Sequence, residues 1–374
     1  MNLKISILTG LFLLLIGCTG RPSAGAGEGE IYALAYAKGF TVERHAAYTR
    51  VVVRNPWDTT KLLRTYVLVP DTADLPQDLP RGEVVRTPVR RIVAYASAHC
   101  GMLEAIGAEG QLVGVCESRY VNLDFVRRGI AEGTLTDVGE AASPNLEKII
   151  QLEPDLLIAT PIENMGYGQV EKIGVPLLEA TEYLENTPLG RAEWVRLLGL
   201  FCGREAEADS VFRRIEANYK AVKALTDNVE DRPTVLPEMP YPPVWYVPGG
   251  ESFMANLYRD AGADYPWSDD PLAGSLTLSI EAVLERGVGA EVWVIKYNRP
   301  QDMTLAGLRG EFDAASRFAA FQNRRVFGVN TGRTPYYDEV PIYPDRVLRD
   351  LIWVFHPELL PADYAPRYFH RLTD

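Results

Sequence analysis

The chain has 374 residues, with 38 lysine and arginine residues against 50 aspartate and glutamate residues, which gives a formal net charge of −12. This acidic balance, without any lysine- or arginine-rich patch, argues against nucleic acid as a partner and against electrostatic attachment to anionic lipid. The length is sufficient for a large hydrophobic core and predicts two domains.

The N-terminal residues have the pattern of an export signal. Lys4 is the only charged residue before position 18, and the apolar run that follows, 5–16, is too short for a permanent membrane span. The run ends in Leu-Ile-Gly-Cys, which resembles a bacterial lipobox and makes Cys18 the predicted site of lipidation. We therefore expect a signal peptide over 1–17 and an exported protein, lipid-anchored through Cys18 and facing the periplasm or the cell surface.

A flexible linker and a small β-rich segment are expected next. Residues 18–30 are rich in Gly, Ala and Ser and show no apolar periodicity, which is typical of a tether. Apolar alternation at 51–54 and 66–70, with an Asn-Pro-Trp-Asp turn between them, predicts a small β-hairpin extension. Prolines and a glycine then mark a surface connector, so that 31–90 form an N-terminal β extension and connector.

Beyond the extension, short apolar strands alternate with helical stretches. This alternation predicts an α/β fold of two three-layer lobes with mainly parallel sheets, an N-lobe over 91–203 and a C-lobe over 231–374. The candidate strands are 92–93, 112–115, 156–159 and 176–178 in the first lobe and 234–236, 244–247, 292–295 and 326–329 in the second. The candidate helices are 144–152, with Ser143 as N-cap, and 252–261, 279–286 and 344–355.

One long amphipathic helix is predicted to join the lobes, within 204–230. Residues 205–225 contain no Gly or Pro, and their apolar side chains recur at helical spacing, at Ala208, Val211, Phe212, Ile215, Tyr219 and Val222. With a rise of about 1.5 Å per residue, this helix would be about 30 Å long. Since a single stiff helix would connect the lobes, we expect them to rock only slightly around a ligand.

Several motifs follow one another in both lobes. They are Arg-Ile-Val-Ala-Tyr at 91–95, Asn-Leu-Glu-Lys-Ile-Ile at 145–150, Glu-Pro-Asp-Leu-Leu-Ile at 153–158, Leu-Ser-Ile-Glu-Ala-Val-Leu at 278–284 and Tyr-Pro-Asp-Arg-Val-Leu at 343–348. This series, which runs in order through 91–374, resembles the helical-backbone class of periplasmic binding proteins for iron–siderophore complexes, haem and cobalamin. The β extension lies outside the resemblance.

The resemblance implies a solute receptor, expected to be a monomer and not an enzyme. It would bind a metal chelate in the cleft between the lobes and deliver it to the permease dimer of an ABC importer. An iron(III)–siderophore complex is the favoured ligand, with cobalamin or haem as alternatives on the same fold. A surface lipoprotein that passes its ligand to an outer-membrane receptor is a further alternative.

The same resemblance assigns permease docking to Glu147 and Glu281. Each occupies the position, one in each lobe, at which the family carries an exposed glutamate that contacts an arginine of the permease. Two such carboxylates would favour rapid and oriented association. The alternative for each is an ordinary solvated glutamate in a first helical turn, where the helix dipole favours negative charge.

The ligand is expected on loops at the carboxyl ends of the parallel strands. Aromatic and arginine side chains in those loops suit a large, flat, partly anionic chelate. The expected ligand-binding residues are His99, Arg119, Tyr120, Met165, Trp267, Tyr297, Arg333 and Tyr336, with Ser97, Asn164, Tyr265, Arg299 and Tyr337 on the same loops. The alternative for each is an ordinary core or surface position.

The sequence gives less support to other kinds of site. His99 could be an axial ligand of haem iron or a direct metal ligand, but a histidine that hydrogen-bonds the backbone at a helix start is the favoured interpretation. No free-metal site or separate cofactor is expected, because the chain has only four histidines. Gly-x-Ser-x-Gly, phosphate-loop, His-Glu-x-x-His and Cys-x-x-Cys motifs are absent from the sequence, which argues against an enzyme. At most one disulfide can form among Cys100, Cys116 and Cys202, and the pairing stays open.

Overall fold

The computed structural model describes residues 29–374 of the chain. The predicted signal peptide, the linker up to residue 28 and the predicted lipidation site Cys18 lie outside the described residues. Three units follow one another in the described part: an N-terminal extension, an N-lobe and a C-lobe. Within 29–374, no helix is both long and apolar enough to cross a bilayer.

The N-terminal extension is a five-stranded sheet, of which the predicted hairpin is the centre. Its strands are β1 (Glu30–Tyr32), β2 (Phe40–Arg44), β3 (Thr49–Arg54), β4 (Leu62–Pro70) and β5 (Glu83–Thr87). Strands β1 to β4 form an antiparallel meander, and β5 pairs in parallel with β4. The sequence pattern predicts β3 and β4 because the alternation of apolar residues is visible within each strand. It does not predict β5, because the parallel pairing of β5 with β4 is made across a proline-rich connector.

The N-lobe contains a five-stranded parallel sheet, in the order β8-β7-β6-β11-β12. The strands of the lobe are β6 (Ile92–Ala94), β7 (Leu112–Val115), β8 (Thr136–Asp137), β9 (Gly139–Glu140), β10 (Ser143–Pro144), β11 (Leu156–Ala159) and β12 (Leu177–Glu179). Its helices are α1 (Ser97–Ala105), α2 (Asp124–Glu132), α3 (Leu146–Gln151) and α4 (Pro188–Cys202). All residues of β6, β11 and β12 are buried, as the apolar strands of a parallel sheet covered on both faces should be.

Helix α3 is shorter than the sequence predicts. Ser143 and Pro144 are paired with β9 in a two-stranded ribbon and do not belong to the helix. The N-cap is Asn145, whose side-chain Oδ1 accepts a hydrogen bond from the backbone N–H of Lys148 at 3.0 Å. The prediction of Ser143 as N-cap was therefore wrong, because strand pairing takes the two residues that would have begun the helix.

The C-lobe divides its strands between two sheets. Strands β13 (Val235–Pro237), β17 (Val292–Tyr297) and β18 (Val326–Asn330) are parallel, with β19 (His370–Arg371) antiparallel at the edge; β14 (Pro240–Tyr241), β15 (Val244–Pro248) and β16 (Ser275–Ser279) form an antiparallel sheet. The strand predicted at 244–247 was expected in the parallel sheet and lies in the antiparallel one. Only two residues separate it from β14, and such a short connection can join antiparallel strands but not parallel ones.

The predicted interdomain helix is α5 (Glu205–Lys223), and its buried side chains are the six of the predicted apolar stripe. It packs against α4 on one side and against α11 (Pro344–Phe355) of the C-lobe on the other. The remaining C-lobe helices are α6 (Phe253–Asp260), α7 (Ile280–Gly287), α8 (Leu305–Glu311), α9 (Ala319–Gln322) and α10 (Tyr336–Glu339). Helix α4 was not predicted, because nearly all of its side chains are buried and no polar face gives it helical periodicity.

The three cysteines in the described part of the chain are buried and free. Burial raises the pKa of the Cys116 and Cys202 thiols to about 12 and that of Cys100 still further. Thiols in such surroundings are unreactive packing groups. The disulfide that the sequence left open is not formed.

Truncation of Phe212 to alanine should lower the free energy of unfolding by about 3–5 kcal/mol, because Phe212 is buried on the stripe of α5. Replacement of the exposed neighbour Arg213 by alanine should change it by less than about 0.5 kcal/mol. Urea denaturation of the chain without its N-terminal signal and Cys18 measures both values. Equal losses for the two variants would contradict this orientation of α5.

Candidate ligand-binding cleft

A cleft of about 940 Å³ lies where the two lobes and the N-terminal extension meet. From the N-lobe, the lining residue Tyr183 follows strand β12. From the C-lobe, Glu238 and Met239 follow strand β13, and residues 296–299 include the last residues of β17. The cleft is therefore built at the carboxyl ends of strands from both parallel sheets. This is the edge of an α/β sheet at which ligands generally bind.

Aromatic side chains reach the cleft from three separate parts of the chain. Tyr241 is 72% exposed and Tyr246 is 47% exposed, so both rings offer free faces. The aromatic lining residues are Trp57 from the extension, Tyr183 from the N-lobe, and Tyr241, Tyr246, Phe253 and Tyr297 from the C-lobe. Such rings can stack on a flat ligand or on an arginine.

Arg191, in the first turns of α4, brings a positive charge to the cleft. Its guanidinium lies 4.0 Å from the ring centroid of Phe253, and its Nε donates to the carbonyl oxygen of Glu182 at 3.2 Å. A further hydrogen bond goes to the carbonyl oxygen of Tyr183. Burial lowers the pKa of Arg191 to about 10, partly opposed by the charge of Glu182, so the group stays cationic at neutral pH. Within 29–374 this guanidinium forms no direct salt bridge, although the charges of Glu182 and Glu185 act on it.

Two further cations of the cleft are paired with carboxylates. Lys296, near the end of β17, contacts the Glu238 carboxylate, and Arg299 binds Glu311 with an N–O distance of 3.0 Å. Burial lowers the pKa of Lys296 to about 8, whereas contact with Glu238 favours the charged form. Among the described residues, no group of three or more His, Cys, Asp or Glu side chains is placed to hold a metal ion.

Of the eight side chains predicted to bind ligand, Tyr297 lines this cleft. Its hydroxyl lies 2.8 Å from His370 Nε2 and accepts a hydrogen bond from the backbone N–H of Met303 at 3.0 Å. Arg299, expected on the same loop, also lines the cleft. The predicted aromatic and cationic character is thus present, but mostly on other residues.

His99 and Trp267 are buried and do not line the cleft. His99 is 0% exposed in α1, and its Nε2 lies 3.4 Å from a carboxylate oxygen of Glu182. Trp267 is 4% exposed and packs in the C-lobe core beside Tyr265. These positions support neither an iron-ligand role for His99 nor a ligand contact for Trp267.

Tyr336 is buried where the two lobes touch each other. It begins helix α10, which packs against α1 of the N-lobe. The contact is so close that a Cβ atom on Gly101 would lie 2.1 Å from the carbonyl oxygen of Asp338. The backbone N–H of Asn122 donates to the Asp338 carboxylate across the same interface, at 3.0 Å. This packing closes the part of the interlobe surface where the sequence predicted ligand contacts.

Arg119, Tyr120, Met165 and Arg333 are exposed on loops outside the lining of the cleft. Arg119 forms two hydrogen bonds to the Glu140 carboxylate, at 2.7 and 3.0 Å, and its guanidinium lies 4.5 Å from the ring centroid of Tyr120. The sequence located these loops at the correct ends of strands. It could not show which side chains the loops turn towards the ligand.

Three residues that line the cleft, Trp57, Arg191 and Lys296, were not among the ligand-binding residues predicted from the sequence. Lys296 had a local signal, since a lysine interrupts an otherwise apolar buried strand, where charged residues are rare. Trp57 was interpreted only as part of a turn, although an aromatic ring in a polar turn is itself unusual. Arg191 had no local signal, because helix packing alone brings α4 to the cleft.

Glu147 and Glu281 are exposed in the first turns of α3 and α7. Both helices have side-chain N-caps, Asn145 for α3 and Ser279 for α7. In the described part of the chain, neither glutamate has an ion-pair or hydrogen-bond partner. Both carboxylates are accessible to another protein, and their docking role stays a prediction.

Comparison with known proteins gives a consistent picture. Residues 92–331 match a family model described as periplasmic binding protein. An uncharacterised lipoprotein of Methanocaldococcus jannaschii is 28% identical over 291 residues, which cover 74% of this chain and 67% of the relative. A second uncharacterised lipoprotein of that organism is 23% identical, with 82% and 80% of the two chains covered.

Solved structures share the fold at low sequence identity. A periplasmic heme-binding protein from Pseudomonas aeruginosa is 20% identical, covers 76% of this chain and 99% of its own, and has a TM-score of 0.58. A possible iron-binding (periplasmic solute-binding) protein from Staphylococcus epidermidis is 17% identical, with 72% and 99% covered and a TM-score of 0.57. An ABC-type Fe3+-hydroxamate transport protein from Saccharomonospora viridis is 18% identical, with 71% and 93% covered and a TM-score of 0.54.

An anionic probe, such as a ferric tricatecholate complex, should bind less tightly as the pH rises from about 7 to 9. For Lys296, desolvation outweighs the contact with Glu238 and lowers the pKa to about 8, so its positive charge is lost over this range. We expect roughly a tenfold loss of affinity, about 1.4 kcal/mol, in calorimetric titrations. In the Lys296→Met variant, affinity should not change with pH over this range. In the control variant Lys172→Met, which replaces an exposed lysine, affinity should depend on pH as in the unmodified protein. An unchanged slope in Lys296→Met would contradict the assignment.

Proposed function

Because the chain belongs to the periplasmic binding protein family, we propose that it captures an iron(III)–siderophore-type chelate and delivers it to an ABC import permease. The observation that carries this ligand class is the cleft, with a volume of about 940 Å³, exposed aromatic rings and the cation Arg191, which forms no salt bridge within 29–374. Aromatic faces and a guanidinium together suit a large ligand that is flat and partly anionic. The proposed role is binding and release, without a catalytic step.

Haem is the second candidate ligand. Four tyrosines line the cleft, and a tyrosine can serve as an axial ligand of haem iron. Cobalamin stays a third possibility within the same fold. The ligand is in each case a substrate of transport, and the protein needs no resident cofactor for the proposed role.

Binding is proposed to involve a small movement of the lobes on helix α5. The helix packs against α4 and α11 and is held to the C-lobe by Tyr219, whose hydroxyl donates to Asp260 Oδ2 at 2.7 Å. A single continuous helix between the lobes resists bending more than several flexible connecting segments would. The lobes would therefore close around the ligand by a slight rocking motion.

The proposed membrane anchor would keep the receptor beside its permease. Lipidation at Cys18 and a flexible linker over 18–30 would confine the protein to the membrane surface and raise its effective concentration there. The described chain begins at the last residues of that linker and enters β1 at Glu30. A surface lipoprotein that serves an outer-membrane receptor is the alternative, and it has no use for two permease-docking carboxylates.

Titration with metal-loaded probes tests the ligand class. We expect one or more of a ferric tricatecholate, a ferric trihydroxamate, haemin and cyanocobalamin to quench tryptophan fluorescence. The sensitive residue should be Trp57, which lines the cleft, and not Trp267, which lies in the C-lobe core. The Trp57→Phe variant should lose most of the quench. Flat titrations with all four probes in the unmodified protein would refute the proposed ligand class.

Removal of both docking carboxylates should abolish transport and leave ligand affinity unchanged. The test variant is Glu147→Ala with Glu281→Ala, because both side chains are exposed and neither lines the cleft. Uptake into vesicles that contain the reconstituted permease measures transport, and calorimetry measures binding. The matched control replaces the exposed glutamates Glu132 and Glu285 and should transport normally. Unimpaired uptake by the test variant would rule out docking through these residues.

A further inference from the structure

The N-terminal extension lies outside the residues that match the family, yet it reaches the ligand cleft. Pro56 and Trp57, in the turn between β3 and β4, line the cleft together with residues of both lobes. A segment that served only as a spacer would have no need of this position. We propose that the extension is the third wall of the ligand site, with Trp57 selecting planar aromatic chelates. This inference rests on the proposed function and narrows its ligand class.

Two buried carboxylates attach the extension to the N-lobe. Glu193 of α4 is fully buried, and its oxygens accept hydrogen bonds from the backbone N–H groups of residues 35–37 at 2.7 to 3.1 Å. Glu185 Oε1 accepts hydrogen bonds from the N–H groups of residues 38–39 at 2.9 and 2.8 Å. A buried carboxylate is energetically costly unless it is fully hydrogen-bonded. Loss of these hydrogen bonds would therefore be unfavourable, which holds residues 35–39, the segment that leads into β2, against the N-lobe.

The sheet of the extension also packs on the N-lobe. The hydroxyl of Tyr66 donates to the carbonyl oxygen of Leu177 at 2.8 Å and accepts from the backbone N–H of Glu179 at 2.9 Å. The rings of Phe40 and Trp194 meet edge to face, with centroids 4.9 Å apart. Strand β4 is thereby bound to β12, the strand that leads into the cleft.

Further contacts join the extension to the interdomain helix. Tyr32 donates to Asp209 Oδ1 and Tyr36 donates to Glu216 Oε1, both at 2.6 Å. The extension therefore moves with the N-lobe and with α5. Its turn would stay in place while the C-lobe closes towards it.

The turn that carries Trp57 is held in one conformation. The Oδ1 of Asn55 accepts hydrogen bonds from the backbone N–H groups of Trp57 and Asp58, at 2.9 and 3.0 Å. Asp58 in turn accepts from the N–H of Thr60 at 3.1 Å, and its carbonyl accepts from Lys61. Because the turn is already ordered, little conformational entropy is lost when a ligand contacts the indole ring.

The chemistry of the three walls indicates which chelates the cleft would bind most tightly. Trp57, Tyr241 and Tyr246 offer π faces from the extension and the C-lobe, and Arg191 offers a positive charge. A planar conjugated anion can use both features, by stacking and by ion pairing. Aliphatic hydroxamates have no aromatic face to stack. Ferric catecholates and haem share the favoured chemistry, and separate titrations with the two distinguish them.

Calorimetric titration of Trp57→Ala tests the inference. We expect its affinity for haemin or a ferric tricatecholate, whichever the unmodified protein binds, to fall about five- to tenfold, as loss of one aromatic contact should cause. Its affinity for a ferric trihydroxamate should be unchanged. The Trp57→Phe variant should stay within about twofold of the unmodified protein. Leu62→Ala is the matched control, since Leu62 is an exposed apolar residue of the extension outside the cleft lining.

The outcomes separate this inference from the proposed function. If Trp57→Ala binds the planar probes with unchanged affinity, the extension is not a wall of the ligand site. If its affinity for the trihydroxamate falls as much as that for the planar probes, Trp57 does not select planar chelates. Binding of the trihydroxamate alone by the unmodified protein would overturn the inference and leave the proposed function standing. Binding of no probe would overturn both. If the alanine variant fails to fold, Trp57→Leu, which keeps apolar volume without a π system, replaces it under the same criteria.

Discussion

The placement of the cleft depends on one packing interaction, the burial of the apolar stripe of α5 between α4 and α11. Because one continuous helix makes both contacts, it sets the separation and the relative orientation of the two parallel sheets. The carboxyl ends of their strands then face a common space. The extension is bound to α4 and α5 as well, through Glu193 and through Tyr32 and Tyr36. All three walls of the cleft are thus positioned by the same pair of helices.

Buried charges in this protein fall into two groups with different consequences. Glu185 and Glu193 accept several backbone or indole N–H groups, so their charges are satisfied and their role is to hold segments together. Arg191 hydrogen-bonds only to carbonyl oxygens and packs on an aromatic face, whereas Lys296 contacts the Glu238 carboxylate but still has a pKa lowered to about 8 by burial. Desolvated cations of this kind are costly in a free protein and become favourable when an anion arrives. Their position in the cleft is therefore a functional signal.

The sequence predicted the character of the site better than its residues. Aromatic rings and cations at strand ends were expected and are present, and Tyr297 was among the predicted residues. His99 and Tyr336 follow strand ends as well, but both are buried, His99 in α1 beside Glu182 and Tyr336 in helix α10, which packs on α1. The end of a strand in the sequence shows where a loop begins. It does not show which of these loops is covered by the other lobe and therefore cannot contact a ligand.

Sequence by itself determined the features that depend on local patterns: the parallel strands of the N-lobe, the buried stripe of α5, the positions of helices α6 and α7, and the family. These follow from periodicity and short motifs, which need no knowledge of distant contacts. Only the tertiary structure decided the pairing of β5, the antiparallel sheet around β15 and the arrival of Trp57 and Arg191 at the cleft. The arrival of Trp57 and Arg191 joins segments far apart in the chain, and the pairing of β5 and β15 depends on which neighbouring strand is available. Packing between whole elements, rather than local preference, sets such contacts.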